Sequence, residues 1–262
     1  MSDKEIKSII EYANGFMTQA FAFGGEDGME KCDPSVKYRA SIQNYLIDTG
    51  DEVILVDTGV PADFKDPEYN ENAPLYNGER ISEYMDAFNE LGYKKEDVTK
   101  ILLTHKHIDH SGEIKQFPNA KVYLSKTEAQ ELNLEGENIV PVEFDDGAYH
   151  NFEKSQKICD GIYLIEAIGH TKGNSIVIAE NDDLFYMIHG DITYADEALY
   201  ANKLSVVYED IGKARETLDN VREFISNNPT VYLSTHTPLG PENLKNKYII
   251  DLENPPESIY PE

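Results

Sequence analysis

A chain of 262 residues with 40% hydrophobic and 27% charged side chains has the composition of a globular protein with a buried core. Its formal net charge of -26 at pH 7 excludes little about small substrates, but it makes nucleic acid and anionic membranes unfavourable partners. No apolar run approaches the ~18 residues of a membrane-spanning helix and the N-terminal segment lacks the apolar core of a signal peptide, so we expect a single cytoplasmic domain over residues 1–262.

The first half of the chain alternates short apolar runs with segments of helical periodicity, a pattern typical of a layered α/β domain. Residues 41–48 and 53–57 are predicted to form a hairpin around a turn at 49–51. A helix is predicted over 80–91, where apolar residues recur at helical spacing. The other predicted elements here are strands over 98–104 and 121–124 and a helix over 127–134, with Thr127 as its N-cap.

The second half shows a similar succession of elements, without a repeat at the level of residues. A strong amphipathic helix is predicted over 211–227. Two segments, 61–79 and 196–210, fit this scaffold poorly, and loops of that length in a compact domain are usually functional or disordered. The remaining predicted elements are strands over 161–166, 175–179, 184–188 and 230–234.

The stretch 104–112 combines metal-binding residue types directly after a predicted strand. His105 and His107 are two residues apart, so in an extended turn their rings can reach one ion, whereas Asp109 and His110 diverge toward a second ion. Imidazole and carboxylate are ligands that zinc prefers, and the absence of thiolate leaves iron, manganese and cobalt open. A chance cluster on a surface loop is the weaker interpretation, because the whole chain has only seven histidines.

Three further candidates stand where predicted strands end. His170, Asp191 and His236 each follow a strand, and α/β sheets place their sites at that edge. Taken singly, each would more often be an ordinary loop residue. The two other histidines are weaker candidates: we expect His150 on the surface and His189 in structural packing.

The order His-x-His-x-Asp-His at 105–110, followed by a histidine, an aspartate and a histidine after later strands, resembles the metallo-β-lactamase superfamily. The resemblance implies a four-layer αβ/βα sandwich with a binuclear metal site, most simply two zinc ions, at the sheet edge. It also implies that Asp57 supports the site, although a turn-forming aspartate is an equal interpretation. The implied ligands are His105, His107 and His170 for one metal, Asp109, His110 and His236 for the other, and Asp191 as the bridge.

Within that superfamily the chain most resembles the N-acyl-homoserine lactonases. Those enzymes carry a tyrosine three residues after the bridging aspartate, and Tyr194 has that spacing from Asp191. The pattern departs from theirs around His236, where threonines flank the histidine, and at Lys172 and Asn174 beside His170. These departures leave the ligand set intact and put the identity of the substrate in doubt.

The implied mechanism is hydrolysis by a metal-activated hydroxide. Two cations lower the pKa of a shared water toward ~7, and the resulting hydroxide attacks a carbonyl. Asp109 would orient the nucleophile or pass its proton to the leaving alkoxide, and Tyr194 would stabilise the oxyanion. We therefore expect a hydrolase that opens a lactone or cleaves a related carboxylic ester of small-molecule size. The alternatives are a thioesterase resembling glyoxalase II, a phosphodiesterase, or a metal-binding protein without turnover.

The two poorly fitting segments, 61–79 and 196–210, are expected to flank the site and to shape an apolar acyl pocket. They carry aromatic and aliphatic residues on long loops, and such patches often mark binding surfaces. A homodimer interface is the alternative use of the same residues. Four N-terminal residues are expected to join this pocket: Phe16, Met17, Phe21 and Phe23.

Overall fold

The computed structural model describes residues 4–256, and all structural statements below concern that part of the chain. Its strands are β1 (Glu5–Thr18), β2 (Lys37–Asp48), β3 (Val53–Val56), β4 (Leu75–Arg80), β5 (Val98–Leu102), β6 (Lys121–Ser125), β7 (Ile139–Val142), β8 (Ser155–Cys159), β9 (Ile162–Glu166), β10 (Ser175–Asn181), β11 (Leu184–Ile188) and β12 (Thr230–Leu233). Its α-helices are α1 (Gln19–Asp27), α2 (Tyr84–Glu90), α3 (Ile108–Ser111), α4 (Lys126–Glu131), α5 (Asp196–Ala201), α6 (Ile211–Asn227) and α7 (Leu239–Asn246).

The strands form two sheets. The first has the order β4-β1-β2-β3-β5-β6-β7, and the second has the order β12-β11-β10-β9-β8. Strands β3, β5, β6 and β7 run parallel, as do β11 and β12, while the other pairs are antiparallel. Parallel neighbours end at a common edge, so the segments that follow them are brought together there.

The sheets pack face to face, and helices cover their outer faces. Val56 of the first sheet and Val177 of the second belong to one buried cluster between the sheets. Their neighbours Leu55 and Ile178 point the other way, because successive side chains of a strand alternate between faces. Leu55 packs in a cluster with residues of α2 and α4, and Ile178 packs in a cluster with residues of α6. The result is the predicted four-layer αβ/βα sandwich.

Most predicted elements are confirmed, with some corrected boundaries. The hairpin over 41–57 and the helix over 211–227 are present. The helix predicted over 80–91 begins only at Tyr84, because Arg80 still belongs to β4. Thr127 is not an N-cap: the Ser125 hydroxyl oxygen accepts the Glu128 backbone N–H at 3.1 Å, so the N-cap lies two residues earlier than predicted.

The longest strand, β1, was not predicted. It pairs with β2 on one side and β4 on the other, and its register shifts between Ile10 and Tyr12 and again between Tyr12 and Gly15. Such irregularities break the alternation of apolar and polar residues that marks a strand in a sequence.

The segments 61–79 and 196–210, predicted as loops, also contain regular structure, since β4 begins at Leu75 and α5 covers the start of the second segment. No helix of the described residues is both long and apolar enough to cross a bilayer.

Candidate metal centre

The candidate ligands follow four strands: His105 and its neighbours follow β5, His170 follows β9, Asp191 follows β11, and His236 follows β12. Asp57, which contacts His110, follows a fifth strand, β3. Gly190, just before Asp191, has φ +59°, and a Cβ there would lie 2.9 Å from the Thr104 hydroxyl oxygen. A glycine is therefore required where the turn after β11 passes close to the turn after β5.

Three imidazoles converge in the first half of the site. The Nε2 atom of His170 lies 3.2 Å from Nε2 of His105 and 3.0 Å from Nδ1 of His107, and the latter two atoms are 3.1 Å apart. A tetrahedral zinc ion with Zn–N distances of ~2.0–2.1 Å requires nitrogens roughly 3.3 Å apart. The spacing of these three atoms therefore suits one such ion.

The second half of the site combines one carboxylate with two imidazoles. Oδ2 of Asp109 lies 3.3 Å from Nε2 of His236 and 3.7 Å from Nε2 of His110. All three residues can place one ligand atom within 4.8 Å of the others. The short helix α3 makes this possible, because Asp109 and His110 occupy its first turn while His107, which precedes it, stays with the first half.

The Asp191 carboxylate lies between the two halves. Its Oδ1 is 3.2 Å from Nε2 of His110, and its Oδ2 is 3.1 Å from Nε2 of His236. The same Oδ2 is 3.4 Å from Nε2 of His170 and 3.7 Å from Nε2 of His105. One carboxylate thus reaches histidines of both halves, which is the geometry that a bridging ligand needs.

The electrostatics of the site favour neutral imidazoles in one half and positive charge in the other. Burial lowers the pKa of His105 well below its ordinary value and lowers that of His170 to about 4. Burial also opposes charge on His110 and His236, but nearby carboxylates, Asp191 above all, outweigh it and raise both pKa values. A cation placed here would replace the proton that these carboxylates otherwise attract.

Asp57 fixes the orientation of the His110 ring through its Nδ1 atom. Its Oδ2 accepts the Nδ1–H of His110 at 2.7 Å and the Thr104 hydroxyl at 2.8 Å, and its Oδ1 accepts the Thr104 backbone N–H at 2.7 Å. Asp57 does so from φ +65°, an unusual backbone conformation for a residue other than glycine. Asp57 therefore both forms a turn and supports the His110 ring, so the two interpretations made from the sequence apply together.

The loop that carries His170 has support that the sequence did not suggest. Oε1 of the buried Glu128 accepts the Thr171 hydroxyl at 2.7 Å and the Gly173 backbone N–H at 2.9 Å. The Nδ1 atom of His170 donates to the Val207 carbonyl oxygen, 3.1 Å away. Glu128 lies on a short helix among other charged residues, and nothing in its local sequence marks it as buried.

Tyr194 is buried beside the second half of the site. Only 6% of the residue is exposed, and its ring stacks on that of His236 with centroids 4.5 Å apart and planes 17° from parallel. Burial, followed by the negative charges of Asp191 and Asp109, raises the pKa of the phenol well above its ordinary value. The hydroxyl is therefore a neutral hydrogen-bond donor near the Asp191 carboxylate.

The segment 196–210 borders the site, as predicted, and the start of 61–79 lies beside the turn after α3. A cavity next to His170 and Asp191 is lined by Leu204 and Val207 of the first segment. Phe21 meets the Tyr194 ring edge-on at 4.9 Å. The Ala62 N–H, near the start of 61–79, donates to Glu113 just beyond α3. Phe16 instead packs on Tyr69 and Tyr76, both within the segment 61–79.

The other two histidines lie where the sequence indicated. His189 is buried against Tyr232, with ring centroids 3.9 Å apart, and it shares a 2.8 Å hydrogen bond with the Ser234 hydroxyl. His150 is exposed on a loop. Neither belongs to the two groups of side chains that could hold an ion in the described residues.

Comparisons with known proteins agree with this geometry. Residues 40–236 match the family model described as the metallo-beta-lactamase superfamily. An N-acyl homoserine lactonase of Bacillus cereus is 26% identical over 149 residues, which cover 53% of this chain and 58% of that protein. A probable metallo-hydrolase of Mycobacterium tuberculosis is 27% identical over 175 residues, or 57% of this chain and 56% of that protein. The chain thus spans little more than half the length of these curated relatives.

Solved structures share the fold over nearly the whole chain. One is an N-acyl homoserine lactone hydrolase with the product N-hexanoyl-L-homoserine at its catalytic metal centre; the TM-score is 0.71 at 17% identity, covering 95% of this chain and 98% of that one. Another is AidC, a dizinc quorum-quenching lactonase, with a TM-score of 0.66 at 16% identity, covering 91% of this chain and 89% of that one. At such identities the likeness concerns the fold.

Proposed function

Because the chain belongs to the metallo-beta-lactamase superfamily, we propose that it is a binuclear metal-dependent hydrolase that opens a lactone or cleaves a related carboxylic ester. One observation carries the proposal: seven side chains converge as two groups, and Asp191 touches both. A structural histidine cluster would have no need of a carboxylate between two such groups.

We assign the ligands as the sequence motif suggests. His105, His107 and His170 would hold one ion, and Asp191 would bridge to the second. Their imidazole and carboxylate donors suit zinc best, while iron, manganese and cobalt accept the same donors. The second ion would be held by the remaining three ligands, Asp109, His110 and His236.

When bound, such ions acidify a water molecule and polarise the carbonyl of a substrate. Among the carboxylates of the site, Asp109 is the more open, with 18% of its side chain exposed against 1% for Asp191. We assign Asp109 the task of orienting the nucleophile and of carrying its proton to the leaving alkoxide. Tyr194 would donate its phenolic hydrogen to the oxygen that gains charge during the attack.

Two features support a small carbonyl substrate. Relatives named as N-acyl homoserine lactonases match about half of this chain, and Tyr194 offers a neutral donor beside the site. The net charge of -26 disfavours nucleic acid and anionic membranes as partners. Within the same fold, a thioesterase or a phosphodiesterase is the second candidate, and a homodimer is the alternative role for the aromatic loops around the site.

A substrate panel tests this function. The zinc-loaded protein is assayed on N-acyl homoserine lactones of several chain lengths, simple esters, thioesters and phosphodiesters. We expect the highest kcat/KM on a lactone or ester, and a loss of activity in Asp191→Ala, which should also retain the least metal of any single ligand variant. Preferential cleavage of thioesters or phosphodiesters would favour the second candidate, and elemental analysis that finds one ion or none in metal-replete protein would contradict the binuclear centre.

A further inference from the structure

The backbone that carries His236 is held by β2, a strand of the opposite sheet. The segment in question, Ser234–Thr237, directly follows β12, and each of its four carbonyl oxygens accepts a hydrogen bond from β2. The backbone N–H of Ser41 donates to the His236 oxygen and that of Gln43 to the Thr235 oxygen, both at 3.1 Å. The remaining two oxygens are reached by side chains.

The Gln43 side chain makes the central contacts. Its Nε2 donates to the Ser234 carbonyl at 2.6 Å and to the Thr237 carbonyl at 2.8 Å, one on each side of His236. Its Oε1 accepts the Ser41 hydroxyl at 2.7 Å, and the residue has no exposed surface. Carbonyl oxygens only accept hydrogen bonds, so the orientation of this amide is determined by its partners. Both of its amide hydrogens are therefore used to hold the His236 backbone.

The His236 ring contacts carboxylates only through Nε2, which lies near Asp191 and Asp109, and its other nitrogen does not fix its orientation. A metal-binding histidine usually donates its second ring nitrogen to a carboxylate or a carbonyl. His110 does so to Asp57 and His170 does so to Val207. In contrast, Nδ1 of His236 is buried without a hydrogen-bond partner among the described residues. The ring of His236 is positioned by stacking on Tyr194 and by the backbone that Gln43 holds.

We propose that Gln43 is a positioning residue for His236 and thereby sets the affinity for the ion that Asp109, His110 and His236 would hold. This role rests on the proposed binuclear function. Without the amide, each of two buried carbonyls loses one of its two donors. The Tyr45 hydroxyl remains on the Ser234 oxygen and the Gly240 N–H remains on the Thr237 oxygen. The segment between them is then held by fewer bonds and can shift, which moves Nε2 of His236 away from Asp109 and Asp191. No hydrogen bond of the Gln43 side chain reaches the loops that carry the ligands of the other half.

The experiment measures the two zinc affinities separately, by competition with a chromophoric chelator, in wild type, Gln43→Leu and Gln43→Glu. A glutamate has nearly the size of glutamine, but it can donate to at most one of the two carbonyls, and to neither when ionised. We expect the affinity for one ion to fall about 10–100-fold, the range found when the supports of metal ligands are removed, while the other changes little. Cobalt-substituted spectra, referenced to His236→Ala and His170→Ala, identify the affected ion.

Two controls separate positioning from general destabilisation. Phe224→Leu lowers stability from a buried position on α6, in a cluster that does not include β2, and it should retain both ions. Ser41→Ala removes only the hydroxyl that orients the Gln43 amide, so it should fold and weaken the same ion to a smaller extent.

Two outcomes would overturn the role of Gln43 while leaving the proposed function intact. One is that the Gln43 and Ser41 variants bind both ions with wild-type affinity. The other is that the Gln43 variants lose affinity equally for both ions. A wild-type protein that binds fewer than two ions would overturn both.

Discussion

At the scale of single residues, Tyr194 is the side chain outside the candidate ligands for which the proposed lactone hydrolysis predicts a role. We expect Tyr194→Phe to lower turnover of a lactone substrate by up to ~10²–10³, roughly 3–4 kcal/mol, because the oxyanion loses one donor. Metal content should not change, because the phenylalanine ring can still stack on His236. Steady-state kinetics and elemental analysis measure both quantities. Tyr200→Phe is the control, because Tyr200 lies on α5 beside a cavity that is lined by none of the candidate ligands. An unchanged rate in Tyr194→Phe would favour the thioesterase or phosphodiesterase.

Glu11 of β1 makes stability depend on pH. Both of its carboxylate oxygens lie within hydrogen-bond distance of the Val60 N–H, and burial raises the pKa of Glu11 to about 8 against the opposing effects of that N–H and of Arg80. An unfolded chain releases this proton near pH ~4.3. The contribution of Glu11 to stability is therefore complete below that pH and is lost as the pH rises through about 8.

The substitution Glu11→Gln removes this titration while keeping an acceptor for Val60. We expect the unfolding temperature of the variant, relative to wild type, to rise steadily between pH 5 and pH 8.5. Chelator-treated protein is used for both, so that bound cations do not alter the carboxyl group. A difference that stays constant across this range would show that Glu11 does not hold its proton in the folded state.

At the scale of elements, the segment after α5 connects the site to the helix layer. Glu209 accepts hydrogen bonds from the Lys106 ammonium at 2.6 Å and from the Lys172 backbone N–H at 2.8 Å. Its own N–H donates to the Gly169 carbonyl at 2.9 Å. Glu209 thus forms hydrogen bonds to both of the loops that carry candidate ligands, the one around His105 and the one around His170. It lies two residues before the start of α6.

Helix α6 begins at a capped position. Oδ1 of Asp210 accepts the Lys213 backbone N–H at 3.0 Å. Asp210→Ala should lower the free energy of unfolding by about 1 kcal/mol, because the N–H loses its acceptor, and Asp210→Ser should restore most of it. Denaturant titration measures the change. Both variants should still bind two ions, because the contact of residue 210 with the Gly169 carbonyl is made by its backbone N–H and survives the substitution. A loss of metal in Asp210→Ala would mean that the cap also determines the conformation of the His170 loop.

At the scale of the whole molecule, metal ions should contribute to stability. The unfolded chain cannot assemble ligands that lie on four separate strand ends, so ions bind the folded state preferentially. They would also neutralise part of the charge of a chain that carries -26. We expect chelation to lower the unfolding temperature and added zinc to restore it, as measured by calorimetry with the zinc-saturated chelator as control. Identical unfolding curves with and without chelator would argue against resident ions.

Local spacing in the sequence predicted a layered α/β domain and the metal-binding cluster at 105–110, whereas the four-layer arrangement and the full ligand set were implied by the resemblance to the superfamily. Residues 105–110 lie in one turn, and the strands and helix α6 show their periodicity within single segments. Tertiary structure decided the rest. Gln43 meets Ser234 across 191 residues, and Glu128 meets Thr171 across 43, so these supports depend on how strands and loops pack rather than on any local pattern. Strand β1 was not predicted for a related reason: its register against β2 is irregular, and that irregularity is set by the pairing of the two strands.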